Sequence, residues 1–307
     1  MKLLLSHVAD LDGVTPVILS NLVGLDFEYK LFDLDELNEF INTNIDNSYF
    51  DKYDEIIITD LSVSKEIADK ISNSKYNFRL LDHHISAYYL NDYEFANVRE
   101  STNDYKECGT TLYFDYLINN YDSEILKRDS VITFVELVRE CDTWQFTDLK
   151  SEALDLNNLL AFFGNEYFID NYTKFLKNNN TFYYTDMELT ILERLNSKKH
   201  DYIENMACNV TIKHIRNYNI GIVFAEEYRS ELGHFICEKY QDKIDFACII
   251  NLNTHVSFRG IKDISINKFA EIYGGGGHPL ACAMPLPTDI KDKIIDYIFL
   301  GDNCENR

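Results

Sequence analysis

Residues 55–60 read Glu55-Ile56-Ile57-Ile58-Thr59-Asp60. A short β-branched run between polar flanks is the pattern of a central strand in a parallel sheet, apolar on both of its faces. Working outward, Lys2–Ser6 and Phe27–Phe32 before it and Phe78–Leu81 after it predict further strands. Between them Thr15–Leu22, Leu34–Ile41 and Val63–Ile71 carry helical spacing. Pro16 fits the first turn of its helix, and Ser62 the N-cap of the third. This βαβα order predicts a mostly parallel sheet with helices on both faces.

The rhythm changes from about Gly109 to Leu195, where helical spacing dominates. Strand signals resume at Val210–Ile215, Ile220–Phe224, Phe246–Ile250 and His255–Arg259, with helical patterns at Ser230–Tyr240, Ser265–Tyr273 and Asp289–Leu300. The 307 residues suit two α/β domains. The expected boundaries are a catalytic domain over 1–185, a polar helical linker over 186–206 and a smaller substrate-binding domain over 207–307.

Lys plus Arg is 29 against 51 Asp plus Glu, a net charge of −22. That balance argues against long duplex nucleic acid, whose phosphates require a basic track. It is compatible with one short phosphate-bearing ligand held by a metal or a few local cations. Seven cysteines stand at 108, 141, 208, 237, 248, 282 and 304, none in C-x-x-C spacing, and read as free thiols of a reducing compartment. The apolar start Met1–Leu5 is too short for a signal segment, and no run approaches 18 apolar residues. A soluble cytoplasmic protein without a membrane partner is expected.

Chemistry-bearing residues gather where strands end. Ser6–Thr15 reads SHVADLDGVT and puts His7, Asp10 and Asp12 in the loop after the first strand. This donor set suits Mn²⁺ or Mg²⁺; it equally suits an Asx-rich turn capping a helix that begins near Val14. Asp60 ends the central strand, where open α/β sheets bind ligands, or caps the next helix. Asp82-His83-His84 follows another strand. Histidine is the commonest metal ligand, and a neighbouring carboxylate orients its second nitrogen; a solvated loop is the plainer alternative. Asp142, in Cys141-Asp142-Thr143-Trp144, closes a helix and either caps it or completes a ligand set. Gly274, Gly275, Gly276 and Gly277 precede His278. Such a run is either a linker or a loop whose N–H groups approach a phosphate. His255, Ser257 and Arg259 alternate onto one strand face, with Arg259 as a phosphate clamp or an ordinary surface arginine.

Taken together, SHVADLDG, ITD, LDHH, CDTW, SFRG and GGGGHPLACA resemble, in order, the motifs of the DHH phosphoesterase superfamily in its DHH plus DHHA1 subfamily. They span residues 6–283, and LDHH with GGGGHP is the specific combination. The resemblance points to nanoRNases, oligoribonucleases and 3′-phosphoadenosine-5′-phosphate phosphatases, with cyclic- and linear-dinucleotide phosphodiesterases as close relatives. It implies a metal-dependent hydrolase with two ions, usually Mn²⁺. His7 and Asp10 would hold the first and Asp12, His83 and Asp142 the second, with Asp60 bridging. His84 would contact the phosphate or act as an acid. Arg259, Gly275, Gly276, Gly277 and His278 would grip the substrate's other phosphate or sugar. The family places the two aspartates of the first motif four and six residues after the histidine; here they stand three and five after it. The reading neither requires nor excludes a homodimer. Two alternatives accompany it. Asp10-Leu11-Asp12-Gly13 also resembles the nucleophile motif of haloacid-dehalogenase-type phosphatases, and a catalytically silent nucleotide sensor would share the fold.

Overall fold

The computed structural model describes residues 1–145 and 151–301. Cys304 lies outside them, and the other six cysteines form no disulfide. The chain forms two compact units, Met1–Leu192 and Glu193–Arg307.

The first unit is built on five parallel strands: β1 (Lys2–His7), β2 (Phe27–Phe32), β3 (Glu55–Thr59), β4 (Phe78–Asp82) and β5 (Ala96–Val98), in the order β2-β1-β3-β4-β5. Period two explains why β1 and β3 are apolar throughout. Leu3, Leu5, Ile56 and Ile58 enter one core, with α2 (Leu34–Asn44) and α3 (Lys65–Ser72). Leu4 and Ile57 enter the opposite core, with α1 (Leu11–Val23), α4 (Gly109–Asn120), α5 (Asp129–Asp142), α6 (Glu152–Phe163) and α7 (Asn165–Asn178). Each such buried aliphatic contributes about 1.5–3 kcal/mol, so a polar change at any of them breaks a layer. The chain leaves β1 for β2 on one side and returns to β3 on the other. The sheet therefore reverses direction between β1 and β3, the position where doubly wound sheets bind ligands. Ser6 and Thr59 are partners across that point, so the residues that follow them emerge side by side.

Local details differ from expectation. Helix α1 begins at Leu11, ahead of Val14, so Pro16 is its sixth residue and lies beyond the first turn. The N-cap of α3 is Ser64, whose side chain accepts from the Ile67 N–H; Ser62 does not cap it. Strand β5 was not foreseen, and a short hairpin, β6 (Ser101–Thr102) and β7 (Tyr105–Lys106), follows it.

One continuous helix, α8 (Asp186–Ala207), occupies the expected linker, and the division between units falls within it. The second unit has a six-stranded mixed sheet of β8 (Thr211–Ile215), β9 (Tyr218–Phe224), β10 (Phe246–Ile250), β11 (His255–Arg259), β12 (Gly276–His278) and β13 (Ala281–Pro285), ordered β12-β13-β11-β10-β9-β8. Only β9 and β10 pair in parallel. Helix α9 (Arg229–Lys239) packs in one core and α10 (Ile266–Glu271) in the other, and α11 (Ile290–Leu300) closes the described chain. The glycine run is half turn and half strand: Gly274 and Gly275 make the bend after α10. Gly276–His278 is an edge strand antiparallel to β13. A Cβ on Gly275 would stand 2.2 Å from the Ala283 carbonyl oxygen, so close strand approach accounts for glycine there. Among the described residues no helix is long and apolar enough to cross a membrane.

Candidate active site

Asp60 follows β3 in the left-handed region, φ 54°, a conformation that costs a non-glycine residue energy and concentrates at functional sites. Its carboxylate is buried and faces two ways. Oδ2 lies 3.5 Å from His7 Nδ1, at the end of the adjacent β1. Oδ1 lies 3.4 Å from His83 Nε2, just past β4. Around His7 sits Asp10, whose Oδ2 is 3.0 Å from the same Nδ1. Around His83 sit Asp142 Oδ2 at 3.5 Å and Asp12 Oδ2 at 3.8 Å. The structure thus gathers His7, Asp10 and Asp60 in one group and Asp12, His83 and Asp142 in another, with Asp60 next to both.

The shorter spacing of the first motif is accommodated by a double use of Asp10. Its Oδ1 accepts the Gly13 N–H as the N-cap of α1, while Oδ2 faces His7. Asp12, in the first turn of α1, is buried; its Oδ2 and Oδ1 accept the backbone N–H groups of Gly109 and Thr110, each at 2.6 Å, from the start of α4. Asp142 is the last residue of α5, where the helix dipole disfavours a carboxylate.

The electrostatics follow from five carboxylates and three imidazoles in a small volume. The hydrogen bond to Asp10 first, and then the Asp60 carboxylate 3.5 Å away, raise His7 to about 10. Burial first and Asp12 second push Asp60 well above the usual carboxylate range, and the same two causes raise Asp142. Burial opposes protonation of His83, but Asp142 and Asp12 outweigh it and raise it. Among the described residues the buried Asp60 Oδ2 and His83 Nε2 make no hydrogen bond. Buried polar atoms left without partners point to a missing partner.

His84 is set differently. Its Nδ1 lies 2.8 Å from Oδ1 of the fully buried Asp82, and this bond raises its pKa. The same oxygen accepts the His83 N–H at 2.8 Å, so Asp82 orders both histidines. The side chain of His84 stays 45% exposed.

In the second unit, Arg259 Nη2 donates to Ser230 Oγ at 2.7 Å and Nη1 to the Phe258 carbonyl at 2.8 Å. At the other end of β11, Arg229 Nη1 donates to His255 Nε2 at 2.9 Å. Arg259 and His278 both register with Ala281, on opposite sides of β13. They therefore share one level of the sheet, with backbones roughly 10 Å apart. Gly276, Gly277 and His278 are exposed and Gly275 half-buried. Sequence reasoning gave no role to Gly109 and Thr110; the one local signal was a small residue at the start of an apolar helical run.

An open α/β sheet with histidines and carboxylates crowded at its switch point is the arrangement of a metal-dependent hydrolase. In its motifs and its fold the chain resembles the DHH phosphoesterase family. No protein-family model matches it. The oligoribonuclease NrnB of Bacillus subtilis strain 168 is 28% identical over 302 residues, covering 95% of this chain and 75% of NrnB. Among solved structures, the pGpG-specific phosphodiesterase PggH of Vibrio cholerae aligns with a TM-score of 0.53 at 16% identity, over 99% of both chains. The exonuclease RecJ bound to manganese aligns with a TM-score of 0.54 at 12% identity, over 97% of this chain and 89% of that one. These structural likenesses show the fold.

Proposed function

We propose that this chain hydrolyses phosphodiester bonds in short oligoribonucleotides, linear dinucleotides included, with two divalent cations, Mn²⁺ before Mg²⁺. The observation that carries the reading is the position of Asp60, one buried carboxylate with each oxygen turned to a different histidine. NrnB is named an oligoribonuclease and PggH a pGpG phosphodiesterase, which supports the substrate class; RecJ bound to manganese supports the metal.

The donor set fits hard or borderline cations. His7 and Asp10 would hold one ion and Asp12, His83 and Asp142 the other, with Asp60 shared. The unbonded Asp60 Oδ2 and His83 Nε2 and the excess of carboxylate are what such ions would satisfy. When bound, a pair of divalent cations supplies Lewis acidity toward a water and the phosphoryl oxygens.

The residues of the chain do the rest. Asp82 fixes His84 with Nδ1–H toward its carboxylate and favours the protonated ring, which suits Nε2–H to act as an acid toward the phosphate or the leaving oxygen. Residues 1–185 carry this chemistry. Residues 207–307 carry the grip, in which Arg259 and the Gly275, Gly276, Gly277 and His278 edge take a second phosphate or a sugar. A net charge of −22 favours short substrates over long strands.

The test is a panel of di- to pentaribonucleotides incubated with the purified chain and Mn²⁺. Release of mononucleotides that stops on chelation, and is lost in Asp60→Ala, is expected. Undiminished turnover by Asp60→Ala would remove the two-ion reading.

A further inference from the structure

Asp12 is held by more than its carboxylate. Its own backbone carbonyl accepts a hydrogen bond from Thr110 Oγ1 at 2.9 Å, across 98 positions of sequence. This bond answers a vacancy made within α1. In an α-helix the N–H of residue i serves the carbonyl of residue i−4. The donor for Asp12 would be residue 16, which is proline and has no N–H. Asp12 and Thr110 are both buried, so no water replaces that donor. Thr110 therefore holds Asp12 twice, amide to carboxylate and hydroxyl to carbonyl, while the Gly109 amide takes the other carboxylate oxygen. A carboxylate oxygen has two acceptor directions. One amide on each oxygen leaves one direction on each free and fixes where it points.

We propose that Pro16 and Thr110 are a matched positioning pair for the metal site: the proline empties the Asp12 carbonyl, and the threonine hydroxyl fills it and locks the ligand. The proposal rests on the metal reading above. Neither residue touches the ions, so both act through Asp12. Outer partners of metal ligands are worth about 10–100-fold in affinity.

Calorimetric titration of the full-length chain with MnCl₂ tests it. Thr110→Val keeps the shape and removes the hydroxyl; it should weaken Mn²⁺ binding about tenfold or more. Thr110→Ser keeps the hydroxyl and should bind within about twofold of the native chain. Adding Pro16→Ala to Thr110→Val restores a helix donor to the Asp12 carbonyl and should recover part of the loss, a coupling that a general packing defect does not show. If Thr110→Val alone does not fold, the double variant should fold and bind. Native affinity in Thr110→Val, an equal loss in Thr110→Ser, or no recovery in the double variant overturns the pair. A native chain that binds no Mn²⁺ sinks the metal reading itself, and the pair with it.

Discussion

Gly109 lies against Asp60 so closely that a Cβ on it would stand 2.6 Å from the Asp60 Cβ and 2.8 Å from the Asp60 backbone nitrogen. The first residue of α4 is thus packed against the residue shared by both donor groups. Alanine there would ordinarily favour a helix by about 1 kcal/mol. Gly109→Ala should instead destabilise the fold by about 1–3 kcal/mol in urea denaturation, the range for overpacking, and weaken Mn²⁺ binding. Gly276→Ala, with open space around its Cβ position, should stay within about 0.5 kcal/mol. Equal stability of the two variants would show that the α4 start gives way freely.

Metal binding should release protons. His7 is raised to about 10, so at neutral pH it carries a proton that a metal ligand must lose; Asp60 and Asp142 are raised as well. The sign is fixed: the metal competes with protons, so Mn²⁺ affinity rises with pH up to about 10. Without metal, the stability His7 lends through Asp10 and Asp60 is full below about 6.5 and lost as pH rises through about 10. Calorimetry in buffers of differing ionisation enthalpy reads the protons directly. A binding heat independent of the buffer contradicts it.

The parallel sheet was legible because Leu3, Leu4 and Leu5, like Ile56, Ile57 and Ile58, feed opposite cores and leave no polar position to blur the run. The donor residues were legible because each sits where such a run stops. Other features depended on partners distant in sequence. Strand β5 is three residues long and marked mainly by its pairing with β4. The glycine run looks flexible in composition, and pairing with β13 makes its second half, Gly276 and Gly277, a strand. Pro16 looked like a first-turn residue because Asp12 and Gly13 are poor helix formers; the α4 start that holds Asp12 lies 97 residues away.

Glu55 anchors the other end of β3. Its buried carboxylate pairs with Lys2, accepts the Tyr116 hydroxyl at 2.6 Å and accepts Arg79 Nε at 2.9 Å. Burial raises its pKa, but Lys2, Tyr116 and Arg79 overcome that and hold it below the ordinary value. A depressed carboxylate adds stability that is present above about 4.5 and lost as pH falls through the folded value. Glu55→Gln should therefore cost about 2 kcal/mol at pH 7, less than a fully buried pair because Lys2 and Arg79 reach solvent. The difference from the native chain should shrink toward zero in acid. Urea denaturation at pH 7 and pH 3.5 compares the two, and a penalty that does not change with pH rules out the ionic contribution.

The Asp82–His84 bond makes the most specific kinetic prediction. Asp82→Asn keeps an acceptor for the His83 and His84 N–H groups and removes the charge that raises the His84 pKa. With the carboxylate gone, the pKa of His84 drops toward its ordinary value of about 6.5. An acid must carry its proton to act, so kcat declines as pH rises through that pKa. The alkaline limb of the kcat profile on a diribonucleotide should move to lower pH in Asp82→Asn, while the acid limb, set by groups that bind metal, stays in place. Mn²⁺ affinity should change little, because His83 keeps its backbone bond. An alkaline limb that does not move would assign the acid to another group; loss of Mn²⁺ binding would instead make Asp82 a support for His83.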